Sequence, residues 1–347
     1  MYKALIDKLE RDCILSFEEY LTLINGYKEI SDYAAERASA VRNRIYGKRV
    51  YIRGLIEVSS YCKNNCYYCG IRAGNKNAER YRLTGSEILN CADEGYRLGF
   101  RTFVLQGGED AYYTDGLLCG VIKEIKRRFP DTAVTLSLGE RSTESYKTLK
   151  EAGADRYLLR HETANKKHYS LLHPDTMSFD NRQRCIKDLK ALGYQVGVGF
   201  MVGSPYQTNE DLANELLYLK KLQPQMVGIG PFITHKDTPF KGFKSGSADL
   251  TVFLLSLIRL TLPNVLLPAT TALGTLKADG RERGIKAGAN VLMPNLSPTD
   301  VRKKYSLYDN KICTGEEAAQ CLGCLKTRIA KTGCEIVNDK GDFKNGI

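Results

Sequence analysis

The sequence predicts an α/β protein whose central unit is a closed (β/α)8 TIM barrel, with an N-terminal helical extension and a C-terminal cysteine-containing extension. Two observations lead to this prediction. Short apolar runs alternate with amphipathic helical stretches, and that alternation favours parallel strands joined by helical crossovers. Eight such units occupy about 245 residues, which is the usual size of a barrel of this kind.

The elements follow in order along the chain. Residues 1–48 carry apolar positions every three to four residues and predict helices packed on the barrel. The barrel is predicted over 49–297 and the extension over 298–347, all within one structural unit. An open doubly wound sheet is the competing fold, but it needs a glycine-rich phosphate loop where this chain has cysteines. The predicted strands are 50–58, 101–106, 133–138, 156–160, 195–202, 226–232, 264–269 and 290–295.

Composition limits the class of protein. The 347 residues include 11 cysteines, and the charged N-terminus lacks the apolar segment of an export signal, so we expect a cytoplasmic location with reduced thiols. No apolar run approaches the ~20 residues of a membrane span. The net charge is +11, but the lysines and arginines are scattered among acids, which argues against a nucleic-acid track. An anionic substrate or an acidic partner protein is compatible with this balance.

Polar residues follow several predicted strands, at the end of a barrel where active sites gather. Three cysteines come after the first strand, in the stretch YCKNNCYYCG. The other strands end in groups that we expect to converge on the same face. These groups are Gly107-Gly108-Glu109, Ser137, Arg160-His161-Glu162 and Thr270-Thr271.

The cysteines Cys62, Cys66 and Cys69 have the spacing C-x3-C-x2-C, with no fourth ligand nearby. A structural zinc site needs four protein ligands, and three thiolates would weaken a catalytic zinc as a Lewis acid. A cubane 4Fe-4S cluster fits better, because three thiolates bind three irons and leave the fourth iron free. Three unrelated buried cysteines are the alternative without function.

This spacing, with the aromatic Tyr68 before the last cysteine, resembles the radical S-adenosylmethionine superfamily. The resemblance implies that the free iron chelates S-adenosylmethionine and that reduction yields a 5′-deoxyadenosyl radical. Such a radical must form in a closed cavity with its target already in position. Gly107, Gly108 and Glu109 resemble the superfamily's motif for the methionine ammonium, and the stretch around Met201 resembles its glycine-rich strand beside the adenosine.

Longer blocks resemble the HydE-type maturases of (FeFe) hydrogenase, from about residue 50 to beyond residue 324. They are RYLLRHETAN, VGIGPFITHKDTPF, LPATTALGT and GANVLMPNLSP. By position, Ser137, Glu162 and Arg182 look like contacts to S-adenosylmethionine, whose charged groups suit them. Arg160, Thr270 and Thr271 look like members of the substrate cavity. Arg160 also has a purely structural reading, as an ion-pair partner of Glu162, and the two threonines could be strand-end turn residues.

The C-terminal extension contains a second trio, Cys313, Cys321 and Cys324, with the spacing C-x7-C-x2-C. HydE-type proteins often carry an auxiliary iron–sulfur cluster at such a trio, either 2Fe-2S or 4Fe-4S. A fourth ligand from Cys334 is less favoured than a free thiol.

The sequence also predicts positions for two histidines. His161 lies at a strand end and is expected to orient Glu162 or to line the cavity. His173 stands where the resembling family often has arginine, and we expect this departure to lie away from the cysteine loop.

The resemblance implies an enzyme that acts on an iron–cysteine complex bearing CO and cyanide, during assembly of the two-iron subcluster of the hydrogenase. It also implies HydG and HydF as partner maturases and a low-potential electron donor. Two alternatives stay open. One is a mutase like methylornithine synthase, and the other is a non-enzymatic iron–sulfur scaffold, which would not need contacts to S-adenosylmethionine.

Overall fold

A computed structural model describes residues 1–315 and 321–345. The helices of the described residues are α1 (Tyr2–Asp12), α2 (Phe17–Asn25), α3 (Tyr27–Tyr46), α4 (Gly85–Arg97), α5 (Asp115–Arg128), α6 (Thr143–Glu151), α7 (Lys166–Leu172), α8 (Phe179–Ala191), α9 (Asn209–Leu222), α10 (Ala248–Thr261), α11 (Thr271–Leu276), α12 (Gly280–Lys286), α13 (Thr299–Arg302) and α14 (Leu322–Ala330). The strands are β1 (Arg49–Ile52), β2 (Gly54–Ser59), β3 (Thr102–Gly107), β4 (Ala133–Ser137), β5 (Arg156–Leu158), β6 (Gln195–Val198), β7 (Met201–Val202), β8 (Met226–Val227), β9 (Gly230–Pro231), β10 (Val291–Leu292) and β11 (Glu335–Val337).

The central sheet is parallel, with the order β2-β3-β4-β5-β6-β8. Neighbours in the sheet follow one another along the chain, and helices such as α4, α5 and α6 connect them, as the alternating pattern predicts. Because the strands are parallel, their carboxyl ends lie at one edge of the sheet. Capping boxes begin α4 at Thr84 and α9 at Thr208, where each hydroxyl accepts a backbone N–H and so fixes the helix start.

Four predicted strands differ from expectation. The runs 195–202 and 226–232 are each divided, and their second parts, β7 and β9, pair with each other in parallel outside the central sheet. The run 50–58 is divided at Arg53, so that β1 pairs with β10 and β11 while β2 pairs with β3. The run 264–269 forms no extended strand and contributes the isolated parallel bridges Met226–Leu266 and Pro268–Val291. A further parallel bridge joins Leu55 to Asn295, next to the first strand of the sheet.

The N-terminal helices pack against the outer helices of the α/β unit. All of the last eleven residues of α10 are buried, because α3 covers one side of this helix and the sheet elements lie on the other. Tyr27 of α3 lies 6.1 Å from the ring of Phe253, and the hydroxyl of Tyr20 is 2.9 Å from that of Thr261. The helices α1, α2 and α3 are thus joined to the rest of the described residues by apolar packing and by this hydroxyl contact.

The C-terminal tail covers the amino ends of the strands. Arg156 at the start of β5 is fully buried and donates to the carboxylate of Asp342 at 2.7 Å and to the carbonyl of Lys340 at 2.8 Å. The strand β11, which the sequence pattern did not predict, pairs in parallel with β1. Both contacts lie at the end of the sheet opposite the cysteine loop.

Across residues 1–315 and 321–345, no helix has the length and apolar character that crossing a lipid bilayer would require.

Candidate active site at the carboxyl ends of the strands

The loop after β2 carries Cys62, Cys66 and Cys69, and three distant segments hold its backbone. The amide of Lys63 donates to the carbonyl of Glu109 at 2.9 Å, and that of Tyr67 donates to Leu172 at 3.0 Å. The amide of Gly70 donates to the carbonyl of Leu307 at 2.9 Å. The loop is thus fixed from β3, α7 and the C-terminal extension, although it has no regular secondary structure of its own.

The three thiols of this loop are half-buried and close to one another. Burial is the main cause that raises the pKa of Cys62 and of Cys66, and it raises that of Cys69 to about 12. Neighbouring cysteines add to the rise, since a second thiolate disfavours the first. A bound metal would remove this penalty by taking the place of the protons.

The arrangement does not suit a single metal ion. Within the described part of the chain, no three histidine, cysteine, aspartate or glutamate side chains converge on one ion. In a cubane cluster each thiolate binds a different iron, so the sulfurs need not meet at one point. The loop therefore fits a three-thiolate cluster better than the mononuclear zinc considered from the sequence.

Gly107-Gly108-Glu109 lies directly against this loop. A Cβ on Gly108 would stand 2.2 Å from the carbonyl oxygen of Tyr61, so only glycine allows this approach. The amide of Glu109 lies 3.4 Å from the sulfur of Cys62. The carboxylate of Glu109 accepts from the amide of Glu140 at 2.9 Å and lies 3.3 Å from the ammonium of Lys63.

Ser137 ends β4, and the acid that follows it is one that the sequence analysis missed. Glu140 accepts from the Nε of Arg182 at 2.5 Å and from the side-chain amide of Asn181 at 2.6 Å. Arg182 is buried and also donates to the carbonyl of Arg160. A glutamate three residues after a strand end was the available signal for Glu140, and it points to the same edge as Ser137.

Glu162 and Arg160 follow β5 and present unpaired polar atoms. Glu162 has a φ of 66°, in the left-handed region that non-glycine residues rarely adopt. Its Oε2 lies 3.3 Å from Nη2 of Arg160, which meets the distance of an ion pair. The alignment is too poor for a hydrogen bond, so Oε2 of Glu162 and both Nε and Nη2 of Arg160 are buried without hydrogen-bond partners among the described residues.

The Glu162 carboxylate lies near the cysteine loop. Burial and the neighbouring thiols are the larger causes that raise the pKa of Cys69 and of Tyr68, and the Glu162 carboxylate raises both further. Strained backbone and an unpaired buried acceptor at the same residue are typical of a functional site rather than of packing.

Thr270 and Thr271 lie where α11 begins. The hydroxyl of Thr270 is buried and has no hydrogen-bond partner among the described residues, although its position would allow it to cap the helix. It stands 2.9 Å from the place where a Cβ on Gly230 would be. Thr271 is half-buried. An uncapped threonine hydroxyl is available to a ligand, which favours the cavity reading over turn chemistry for Thr270.

Met201 and Tyr68 belong to a small apolar cluster beside the loop. Met201 packs with Leu172, Phe232 and Phe240, and Tyr68 lies against them. The hydroxyl of Tyr68 donates to Nε2 of His173 at 3.2 Å, because Nδ1 of His173 donates to the carbonyl of Tyr169. The expectation that His173 lies away from the cysteine loop is therefore wrong.

His161 also differs from expectation. It is fully buried, and its Nε2 donates to the carboxylate of Glu215 at 2.6 Å. Its Nδ1 accepts from the amide of Gly199 at 3.2 Å. The imidazole therefore ties β5 to α9 and to the backbone after β6, and it neither orients the Glu162 carboxylate directly nor lines the cavity.

The start of the C-terminal extension reaches the strand ends. Lys311 donates to the buried carboxylate of Glu57 on β2 at 2.5 Å, and Asn295 donates to the other oxygen of Glu57 at 2.9 Å. The hydroxyl of Tyr305 lies 3.4 Å from the side-chain amide of Gln106. Sequence reasoning missed these residues, because no local pattern links a lysine to a glutamate 254 positions earlier.

The second cysteine trio is held differently. Cys321 and Cys324 lie together, and a hydrogen bond to Cys321 is the main cause that raises the pKa of Cys324. Cys313 has a φ of 63°, and its sulfur is 3.8 Å from Nη1 of Arg281. Residues 316–320 between them lie outside the described residues. Cys334 is buried, and its thiol interacts with Arg42, in accord with a free thiol.

Comparison with known proteins assigns the chain to a family. Residues 56–219 match the family model of the radical SAM superfamily. The (FeFe) hydrogenase maturase subunit HydE of Thermotoga maritima is 48% identical over 307 residues, which cover 88% of this chain and 87% of that protein.

Solved structures agree with this fold. A crystal structure of methylornithine synthase has a TM-score of 0.81 and 26% identity, and the match covers 96% of this chain and 97% of that one. A crystal structure of HydG, a maturase of the (FeFe) hydrogenase, has a TM-score of 0.79 and 21% identity, with coverage of 96% and 75%. At this identity the HydG structure supports the fold alone.

Proposed function

Because the chain belongs to the radical SAM superfamily and, within it, to the family of the (FeFe) hydrogenase maturase HydE, we propose that it acts on an iron–cysteine complex bearing CO and cyanide. The reaction would belong to the assembly of the two-iron subcluster of the hydrogenase. The superfamily implies a 4Fe-4S cluster and S-adenosylmethionine, which together supply a 5′-deoxyadenosyl radical when bound. The observation that carries the proposal is the set of unpaired buried polar atoms of Arg160, Glu162 and Thr270 at the strand ends.

The residues present fit the cluster. Cys62, Cys66 and Cys69 would hold it, since their loop is fixed by backbone bonds from three segments. The amide of Glu109 already points at the sulfur of Cys62, and such a hydrogen bond stabilises a thiolate ligand. Tyr68, which donates a hydrogen bond to His173, would exclude water from this side of the loop.

The residues also fit S-adenosylmethionine. Gly108 lets the cysteine loop pack closely beside Glu109, whose carboxylate would accept hydrogen bonds from the ligand ammonium. Oε2 of Glu162 accepts no hydrogen bond from a described residue and would accept from ribose hydroxyls, and Ser137 lies at the same strand edge. Arg182 would attract the ligand carboxylate while Glu140 holds its guanidinium in place, and Met201 would contact the adenosine.

Arg160, Thr270 and Thr271 would receive the substrate. Nε of Arg160 and the hydroxyl of Thr270 are donors without hydrogen-bond partners among the described residues, and Nη2 of Arg160 lies at ion-pair distance from Glu162. An anionic complex with cyanide and carboxylate groups would accept hydrogen bonds from such donors. The guanidinium of Arg160 would also offset the charge of an anion that leaves water.

The wider assembly follows from the same family membership. We propose HydG as the source of the substrate, HydF as the recipient of the product, and a low-potential electron donor as the reductant. We also propose an auxiliary iron–sulfur cluster at Cys313, Cys321 and Cys324. All cysteines of the chain are free, which favours a reducing cytoplasm.

The architecture belongs to the proposal as well. We propose that the sheet closes into a (β/α)8 barrel over 49–297, flanked by the helical extension 1–48 and the extension 298–347. The support is the series of parallel bridges that continues from Met226–Leu266 through Pro268–Val291 to Leu55–Asn295. The contact of Lys311 with Glu57 supports the proposal that the C-terminal extension belongs to the same structural unit.

A comparison of two substrates tests this function. The reconstituted, reduced enzyme is given S-adenosylmethionine with either the iron–cysteine dicarbonyl cyanide complex or lysine, and consumption of each is measured. We expect turnover of the iron complex alone. Conversion of lysine to methylornithine without turnover of the iron complex would contradict the proposal and favour a mutase like the structural neighbour.

The Arg160 variants separate substrate binding from cluster binding. Arg160→Ala should keep the iron content of the wild type and weaken binding of the iron complex roughly tenfold to a hundredfold, because it removes a charged donor. Arg127→Ala, on the exposed face of α5, is the matched control and should change neither quantity. If Arg160→Ala binds the iron complex with wild-type affinity, Arg160 does not contribute to substrate binding.

A further inference from the structure

One surface beside the cysteine loop exposes apolar side chains. Leu171, Tyr206 and Phe243 have large, exposed side chains. The rings of Tyr206 and Phe243 are 5.4 Å apart, and both contact the buried ring of Phe240. Leu171 lies on α7, which a bond from His168 to the carbonyl of Pro205 joins to the Tyr206 segment. We call Leu171, Tyr206 and Phe243 the aromatic face.

The aromatic face lies directly over the cysteine loop. Phe240, beneath the face, is 6.0 Å from the ring of Tyr67, the residue that follows Cys66 in the chain. The amide of Tyr67 donates to the carbonyl of Leu172, the neighbour of Leu171. An electron that arrives at this surface therefore has few side chains to cross before it reaches Cys66.

Lysines surround the aromatic face. Lys167, Lys236, Lys241 and Lys244 are exposed, and within residues 1–315 and 321–345 none has a side-chain partner. Lys167 precedes Leu171 by four residues and shares its side of α7. Asp175, Glu210 and Asp237 are acids of the neighbouring segments, whereas residues 238–248, which include Phe243, contain Lys241 and Lys244 and no acid. The part of the rim beside Phe243 is thus positively charged.

We propose that the aromatic face is the docking site for an acidic protein that carries one electron at low potential. This inference rests on the proposed function, which requires a reduced cluster at Cys62, Cys66 and Cys69. In the transfer the donor loses one electron and the cluster gains one, and no bond is made or broken. The lysines steer an acidic partner, and the exposed rings supply the desolvated centre that protein interfaces use.

A binding experiment with an acidic flavodoxin as the probe tests the docking site. The charge-reversal double variant Lys241→Glu/Lys244→Glu should bind the probe at least about tenfold more weakly than the wild type, with a weaker dependence on salt. The matched control is Lys326→Glu/Lys331→Glu on and after α14, which makes the same change of net charge elsewhere. The control should keep its affinity within about twofold.

A rate measurement separates docking from catalysis. With flavodoxin hydroquinone as reductant, 5′-deoxyadenosine formation should fall in the aromatic-face variant and not in the control. With dithionite, which is small and needs no docking site, both variants should match the wild type. Phe243→Ala, at a position that is 38% exposed, should weaken flavodoxin binding without a change of charge.

Several results would overturn the proposal. The first is an unchanged affinity of Lys241→Glu/Lys244→Glu for flavodoxin. The second is an equal loss of flavodoxin affinity in the control. The third is weaker binding of a partner maturase by Lys241→Glu/Lys244→Glu, with flavodoxin binding unchanged. If the proposed function is wrong, the wild type with dithionite should form no 5′-deoxyadenosine. The binding comparison still tests the docking site in that case.

Discussion

The two cysteine trios differ in how the rest of the chain holds them. The trio at Cys62, Cys66 and Cys69 lies in a loop that β3, α7 and the C-terminal extension all bind through the backbone. In the second trio, Cys324 is exposed and Cys313 contacts Arg281. The sequence predicted both as ligand sets. Cys313, like Glu162, has a positive φ, and Nε of its neighbour Arg281 is buried without a hydrogen-bond partner among the described residues. The two regions therefore differ in the exposure of Cys324 and in the backbone bonds that hold the first loop.

This difference teaches that the surroundings of a cysteine trio, in addition to its spacing, must be compared before the proposed catalytic cluster is distinguished from the proposed auxiliary one. A reactive site needs a fixed, water-excluding environment, which the strand ends supply for the first trio. The second trio sits beside α14, near the surface. We therefore expect changes near the first trio to affect chemistry and changes near the second to affect iron content alone.

The largest effect is expected from Cys62→Ala. Loss of one of three ligands should abolish the 4Fe-4S absorption assigned to the first trio, and no S-adenosylmethionine should bind in the cluster-dependent mode. Iron content and visible absorption after anaerobic reconstitution measure this. Cys119→Ala, a half-buried cysteine of α5, is the control and should reconstitute fully. A normal cluster in Cys62→Ala would contradict the assignment of the first trio.

A pair of glycine variants gives the next effect. Gly108→Ala places a Cβ 2.2 Å from the Tyr61 carbonyl, so the loop must shift, and such overpacking costs about 1–3 kcal/mol. We expect a lower melting temperature and weaker binding of S-adenosylmethionine. Gly323→Ala, between Cys321 and Cys324, meets no atom within 4 Å and should leave both unchanged. If both variants change the melting temperature and the binding of S-adenosylmethionine equally, the two regions do not differ in the way described.

A low pH should destabilise the region of the first trio through protonation of His173. Burial is the main cause that lowers the pKa of His173 from 6.5 to about 3 in the folded protein. Below pH 6.5 the unfolded chain therefore binds the proton more tightly, so this contribution to stability is complete above that pH and is lost as the pH falls towards 3. One such group changes the free energy of unfolding by about 1.4 kcal/mol per pH unit.

The comparison of wild type with His173→Gln measures this. Between pH 6.5 and pH 5 the wild type should lose about 2 kcal/mol more stability than the variant, as followed by denaturant unfolding at each pH. The same pH dependence in both proteins would show that His173 does not set the acid limit.

The smallest effect on chemistry is expected from Cys313→Ala. It should lower the iron bound by the second trio, yet change the rate of 5′-deoxyadenosine formation by less than about twofold, as is usual for a change remote from a site. The rate with dithionite and the iron content of the same sample are compared. A large loss of rate with an intact first cluster would make the second trio part of the catalytic machinery.

The sequence predicted the features that local pattern controls. The helices of residues 1–48, the run of parallel strands and the placement of Cys62, Glu109 and Glu162 at strand ends all follow from periodicity and from the geometry of parallel sheets. The break at Arg53 and the short pairing of 264–269 were not predictable, because apolar content alone does not set where a strand changes partner.

Long-range polar contacts also escaped prediction. His173 contacts Tyr68 across 105 positions, and Lys311 reaches Glu57 across 254. Their partners are chosen by the tertiary fold and not by neighbours in the chain. His161 was misread for the same reason, since its carboxylate partner is Glu215 on α9 rather than the adjacent Glu162.

The measurement that tests the account most directly is the yield of 5′-deoxyadenosine from S-adenosylmethionine. The protein is reconstituted anaerobically with iron and sulfide and reduced with dithionite, and 5′-deoxyadenosine and methionine are quantified beside Cys62→Ala. We predict equal amounts of the two products in the wild type and none in the variant. A reconstituted wild-type cluster that yields no 5′-deoxyadenosine, with or without the iron complex, would contradict radical chemistry at the first trio and favour a scaffold.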